Sequence, residues 1–164
     1  MPPTYRYEDI RQRIVSIVEA VPGSGRVHNR VRYGDSWQNL LDLFATPADD
    51  PETPASFRGW MVTRTAIEPV DSDSHFGAVL HLHHMQLQGI MAFSDAGDSD
   101  GTFQDLVDRV VSALEDDHDL WGESNITEGT RRPTVSTLEL RMFGRVLGHY
   151  ADLDFIVPTM DPQA

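Results

Sequence analysis

The stretch Arg141-Met-Phe-Gly-Arg-Val-Leu-Gly-His-Tyr-Ala-Asp-Leu-Asp-Phe-Ile-Val-Pro158 decides how the chain folds. From Leu147 onward it alternates with period two. Leu147, His149, Ala151, Leu153, Phe155 and Val157 fall on one face, and Tyr150, Asp152, Asp154 and Ile156 on the other. A strand with one face on a core and the other mostly in water has this pattern. Pro158 is expected to end it, because proline cannot donate to the next rung of a ladder. At roughly 3.3 Å per residue such a strand reaches about 43 Å, longer than most. Either Gly148 bends it through a bulge, or it runs past its own domain to meet a neighbour.

Working back from this strand, Val135–Leu140 reads as a short strand, following a loop from Trp121 to Pro133. Phe103, Leu106, Val107, Val110, Val111 and Leu114 form a helical stripe, with Thr102 or Asp100 as its cap and Asp105 in its first turn. Arg58–Ile67 and His75–Phe93 are strand-like runs joined at Asp71–Ser74 into a long hairpin. Nearer the start, Ile10, Ile14, Ile17, Val18 and Val21 make an amphipathic helix that Pro22-Gly23-Ser24-Gly25 stops. Val27–Tyr33 alternates as a short strand, and Trp37, Leu40, Leu41 and Phe44 form another helical stripe behind Gly34-Asp35-Ser36. Thr46–Ser56 is rich in proline, alanine and acids and reads as an exposed loop. The order predicts one α+β domain over residues 1–164. Its sheet is mainly antiparallel, with long hairpins, packed against two or three helices, and helices one and three cover one face.

Charge sets the class of partner. Acidic residues number 26 against 13 basic ones, for a formal net charge of −13. Every basic residue is arginine. Such a surface repels nucleic acid and anionic lipid, so specific nucleic-acid binding is not expected. A GC-rich coding sequence explains the missing lysine. So does a halophilic host, whose salt screens carboxylate repulsion. No apolar run is long enough to cross a bilayer. The N-terminal residues lack the apolar stretch of a secretory signal, so the protein is expected in the cytosol or in a particle assembled there. Without cysteine there is no disulfide or thiolate chemistry.

Several stretches hold residue types that could carry chemistry. His81 and His83 point the same way on a strand, close enough to share a metal ion, which keeps a metal-dependent enzyme as an alternative. The plainer reading is the polar face of a hairpin, since a third ligand is lacking. Asp95–Asp105 has the outline of a calcium loop, but Ala96 and Val107 stand where the first and last ligands belong. A turn feeding a helix cap explains the same aspartates. Ser, His and Asp occur without a nucleophile motif, and no phosphate-binding glycine pattern is present. No cofactor is expected. Arg131-Arg132-Pro133 is the densest basic spot and suits an acidic neighbour.

Phrases spread along the chain carry a resemblance. They are the Ile-Arg-x-Arg-Ile of residues 10–14, Gly-Arg-Val-His at 25–28, and Trp-x-x-Leu-Leu-x-Leu-Phe at 37–44. Gly-Trp-x-Val-Thr-Arg at 59–64 and Met-Phe-Gly-x-Val-Leu-x-His-Tyr-Ala-x-Leu at 142–153 complete the set. Together they resemble the tail terminator, or tail completion, proteins from the neck of long-tailed phages. The resemblance implies a structural virion subunit and no enzyme. Its implied partners are further copies in a ring, a homohexamer, with the tail-tube protein on one side and the head–tail connector or stopper on the other. DNA would pass through the ring. A different neck component, a stopper or head-completion subunit, is the alternative. Arg64, His81, His83, Arg131, Arg132 and Tyr150 are the residues expected at subunit or partner contacts.

Overall fold

A computed structural model describes residues 7–32, 37–46, 56–70, 78–121 and 130–162. The elements are α1 (Tyr7–Glu19), β1 (Arg26–His28), α2 (Trp37–Phe44), β2 (Ala45–Thr46), β3 (Ser56–Val70) and β4 (Ala78–Ala92). After these come α3 (Ser99–Glu115), α4 (His118–Trp121), β5 (Arg131–Phe143) and β6 (Val146–Pro162). The sheet runs β1-β3-β4-β6-β5, with β2 also on β3. Only β1 lies parallel to its neighbour, so the fold is the mainly antiparallel α+β arrangement read from the sequence.

Alternation on β6 assigns the faces. His149, Ala151, Leu153, Phe155 and Val157 are buried on one side, where Ile10, Ile14 and Val18 of α1 and Phe103, Leu106 and Val110 of α3 pack. This is the face that helices one and three were expected to cover. The opposite face is not simply wet. Leu40 and Phe44 of α2 close over Phe57, Met61, Ile90 and Tyr150 in a second, smaller core.

Several boundaries differ from the sequence reading. Pro158 does not end β6, which continues to Pro162 beside β4. On its other flank β5 reaches only to Ile156, so among the described residues no strand there needs a donor from Pro158. Gly148 makes no bulge; it pairs with both Ala92 and Arg141. A side chain there would come within 2.9 Å of Phe143 and Phe57, which explains the glycine by space. The bulges lie instead at Arg64/Ala66 in β3 and at Arg131/Thr134 and Val135/Thr137 in β5. The cap of α3 is Asp98, not Thr102 or Asp100. It sits at φ 46°, and its carboxylate accepts from the Gly101 N–H.

The strand expected over Val27–Tyr33 shortens to Arg26–His28. The expected Trp121–Pro133 loop gives up both ends, to α4 and to β5, and residues 122–129 lie outside the described residues. Thr46 and Ser56, the ends of the predicted exposed loop, pair with each other across β2 and β3. The residues between them, the cap at 34–36 and the turn at 71–74 lie outside the described residues. At Gly144, φ is 64°, as the first central residue of a tight hairpin turn of the II′ kind requires.

Gly89 sits opposite Trp60 on β3, and a Cβ there would lie 2.5 Å from the indole ring. Gly89→Ala is therefore expected to destabilise the fold by about 1–3 kcal/mol through overpacking. A lowered denaturant midpoint at unchanged slope would show it.

Candidate assembly surface

An open sheet ends in two edges, and their backbone groups are the first candidates for contact with another chain. On one side, β1 covers β3 only from Gly59 to Met61, leaving the flank from Val62 to Val70 without a strand among the described residues. Thr65–Pro69 is exposed there, and Ile67 is 45 % exposed. This half of β3, with the Ala78 end of β4 and the Pro162 end of β6, forms one end of the long strands. The other edge is β5. Its first half is bulged twice and carries Pro133, whereas Thr137–Phe143 keeps a regular ladder with β6. Along that regular half Leu138, Leu140 and Met142 are 42 %, 50 % and 57 % exposed.

The residues expected at contacts divide between surface and interior. Arg131 and Arg132 are exposed, and on β5 rather than in a loop. The Arg132 guanidinium donates to the Glu115 carbonyl at 3.1 Å and lies 4.7 Å over the Trp121 ring. His83 and Tyr150 lie in the interior of the fold, at 4 % and 5 % exposure. An Arg64 N–H lies 3.3 Å from His83 Nδ1, and His83 Nε2 lies 2.9 Å from Thr159 Oγ1. Arginine can only donate, so Nδ1 accepts and Nε2–H donates to the threonine. Arg64 also stacks 4.4 Å over Tyr7, tying β3 to α1. His81 is half-buried on the same strand. A metal shared by His81 and His83 would have to displace one of the bonds that hold the His83 ring. Among the described residues no group of three or more His, Asp or Glu side chains is placed to hold an ion.

The Tyr150 hydroxyl donates to Asp152 at 2.6 Å and accepts from Gln88 at 2.7 Å, with Arg141 3.5 Å over its ring. Burial, with the Asp152 carboxylate, pushes its pKa up to about 12. Tyr150 is thus a pillar between β4, β5 and β6.

Sequence reasoning missed one constellation. Ser99, the first residue of α3, accepts the Ser94 N–H at 2.7 Å, and its hydroxyl is hydrogen-bonded to His149 Nε2 at 2.8 Å. His149 Nδ1 faces Asp100 at 4.0 Å. The order serine, histidine, aspartate matches a hydrolytic triad. Here, however, Ser99 is only 6 % exposed and its oxygen already holds a backbone N–H. Phe103 stacks on the imidazole at 5.3 Å and Phe93 flanks it at 5.6 Å. The trio is a latch that fixes the start of α3 to β6. The signal for it was His149 itself, standing among the apolar positions of the terminal strand.

Burial holds the His149 pKa below its ordinary 6.5, with Asp100 opposing. The unfolded chain then binds the extra proton more readily than the folded one. This contribution to stability is complete above about pH 6.5 and is lost as pH falls through the window below it. A wild-type melt that weakens more steeply than that of His149→Gln as the pH is lowered below 6.5 would confirm the link.

No family model and no curated protein sequence matches this chain. Among the described residues no helix is long and apolar enough to cross a membrane.

Proposed function

We propose that this chain is a structural subunit of a phage neck, a tail terminator that assembles head-to-tail into a ring, a homohexamer. The ring closes the tail tube and meets the head–tail connector or stopper. The observation that carries the reading is the open sheet with long strands, in which the half-edge of β3 from Val62 to Val70 has no strand beside it among the described residues and can take one from a neighbouring copy. The sequence phrases at 10–14, 25–28, 37–44, 59–64 and 142–153 support it, all lying on or beside the elements that build this sheet. Of the residues weighed for chemistry, His83 and Ser99 are held in internal bonds, which favours a role in shape over turnover. An acidic ring would let DNA slide through without adhering. In this reading the protein is made in the host cytoplasm and remains in the virion.

Quantitative mass spectrometry of purified particles tests the proposal. A few copies per particle, retained when heads are stripped from tails, is the expected result. Absence from mature particles would overturn it. The net charge of −13 gives a second expectation. Thermal stability rises from low to molar salt as carboxylate repulsion is screened, measured by calorimetry across a salt series.

A further inference from the structure

The regular half of β5 is a self-complementary edge. Its sequence, Leu138-Glu139-Leu140-Arg141-Met142, alternates apolar, acid, apolar, base, apolar, and reads the same in chemical type from either end once the charges are exchanged. Leu138, Leu140 and Met142 lie on one face at exposures unusual for such side chains, and β5 is the terminal strand of the sheet. Glu139 and Arg141 lie on the other face, already 2.8 Å apart within the strand, with Arg141 held over Tyr150.

We propose that this edge pairs with the same edge of a second copy, antiparallel and about a two-fold axis at Leu140. That register sets Leu140 against Leu140, Leu138 against Met142, and Glu139 against Arg141 of the other copy. Apolar residues then meet across one face while opposite charges meet across the other, the two kinds of cross-strand pair that stabilise a sheet. A register shifted by two residues centres the axis on Glu139 or Arg141, which sets two like charges directly opposite.

The occupant is argued from charge as well as pattern. Thr137–Phe143 carries one arginine and one glutamate, so this stretch is neutral as a whole in a molecule of net charge −13. Two copies repel one another through their acidic surfaces, and along this stretch they do not. The bulges and Pro133 in the first half of β5 blunt the rest of the edge, which confines pairing to Thr137–Phe143. So short a contact lies at the small end of specific interfaces, so the dimer is weak and dependent on concentration. It is independent of the proposed ring, whose head-to-tail contacts use the far ends of β3, β4 and β6.

The full chain has no cysteine, so a single introduced thiol reports its own neighbour. Under mild oxidation in molar salt, Leu140→Cys is expected to form a covalent dimer about tenfold faster than Thr134→Cys, which the axis sets opposite Val146. Equal rates, or no cross-link at Leu140→Cys, would overturn the proposal. In sedimentation equilibrium Glu139→Arg is expected to weaken the dimer about tenfold by opposing like charges. The exchanged pair Glu139→Arg/Arg141→Glu is expected to regain most of it. A double variant no tighter than the single one, in protein shown folded by circular dichroism, would equally overturn it. So would protection of β5 amides from hydrogen exchange that appears only when a different protein is added. Loss of the chain from particles would sink the ring and leave these results untouched.

Discussion

Trp60→Ala is expected to destabilise the protein by about 3–5 kcal/mol, a large part of the margin of a domain this size. The indole is fully buried on β3, between the helices and the sheet, and rests over Gly89 on the next strand. Removing it leaves a cavity where neither backbone can close in, because both strands are fixed by ladders on either side. Its Nε1–H has no hydrogen-bond partner among the described residues, so Trp60→Phe loses volume but no bond and is expected to cost much less. Urea titrations of the three proteins check this. Equal midpoints for Trp60→Ala and Trp60→Phe would contradict it.

Trp121→Ala is expected to cost a similar ~3–5 kcal/mol, for a different reason. Trp121 is buried edge-on against Phe155 at 6.0 Å, and its Nε1–H donates to the Leu114 carbonyl at 2.7 Å. The ring also supports Arg132 from beneath, so its loss loosens a basic side chain on the β5 edge. Trp121→Phe keeps most of the packing but loses the bond to the Leu114 carbonyl, which retains the Asp117 N–H at 3.4 Å, a cost of about 0.5–1.5 kcal/mol. The two tryptophans therefore differ. Phenylalanine loses volume but no hydrogen bond at 60, and loses both volume and a hydrogen bond at 121. Denaturant midpoints for the two Phe variants decide between this and equivalent roles.

The fold was legible wherever periodicity was strong. The stripes at Ile10–Val21 and Phe103–Leu114, and the alternation from Leu147 to Val157, each correspond to an element with that face buried. Boundaries set by one residue were less legible. Pro158 breaks a strand only where a neighbour needs its N–H, and whether one does depends on where β5 stops, a tertiary fact. Asp98 caps α3 from a left-handed conformation, whereas proximity to the apolar stripe points to Asp100 or Thr102. The site was less legible still. Arg131 and Arg132 were found as a dense charge, while His83 and Tyr150 carry polar groups that the fold turns inward onto Arg64, Thr159, Gln88 and Asp152. The sequence places a short strand over Val135–Leu140 and leaves Met142 outside it, so the exposed run Leu138–Met142 has no signal of its own. Only its place at the end of the sheet makes it a surface.

The central claim is that this chain acts by closing a tube with repeated copies of itself. Mixing the purified protein with isolated tail tubes and imaging them by electron microscopy tests it most directly. The account predicts a ring of density at one end of each tube, removed when the protein is omitted. Tubes left bare at both ends, with the protein still free in solution, would contradict it.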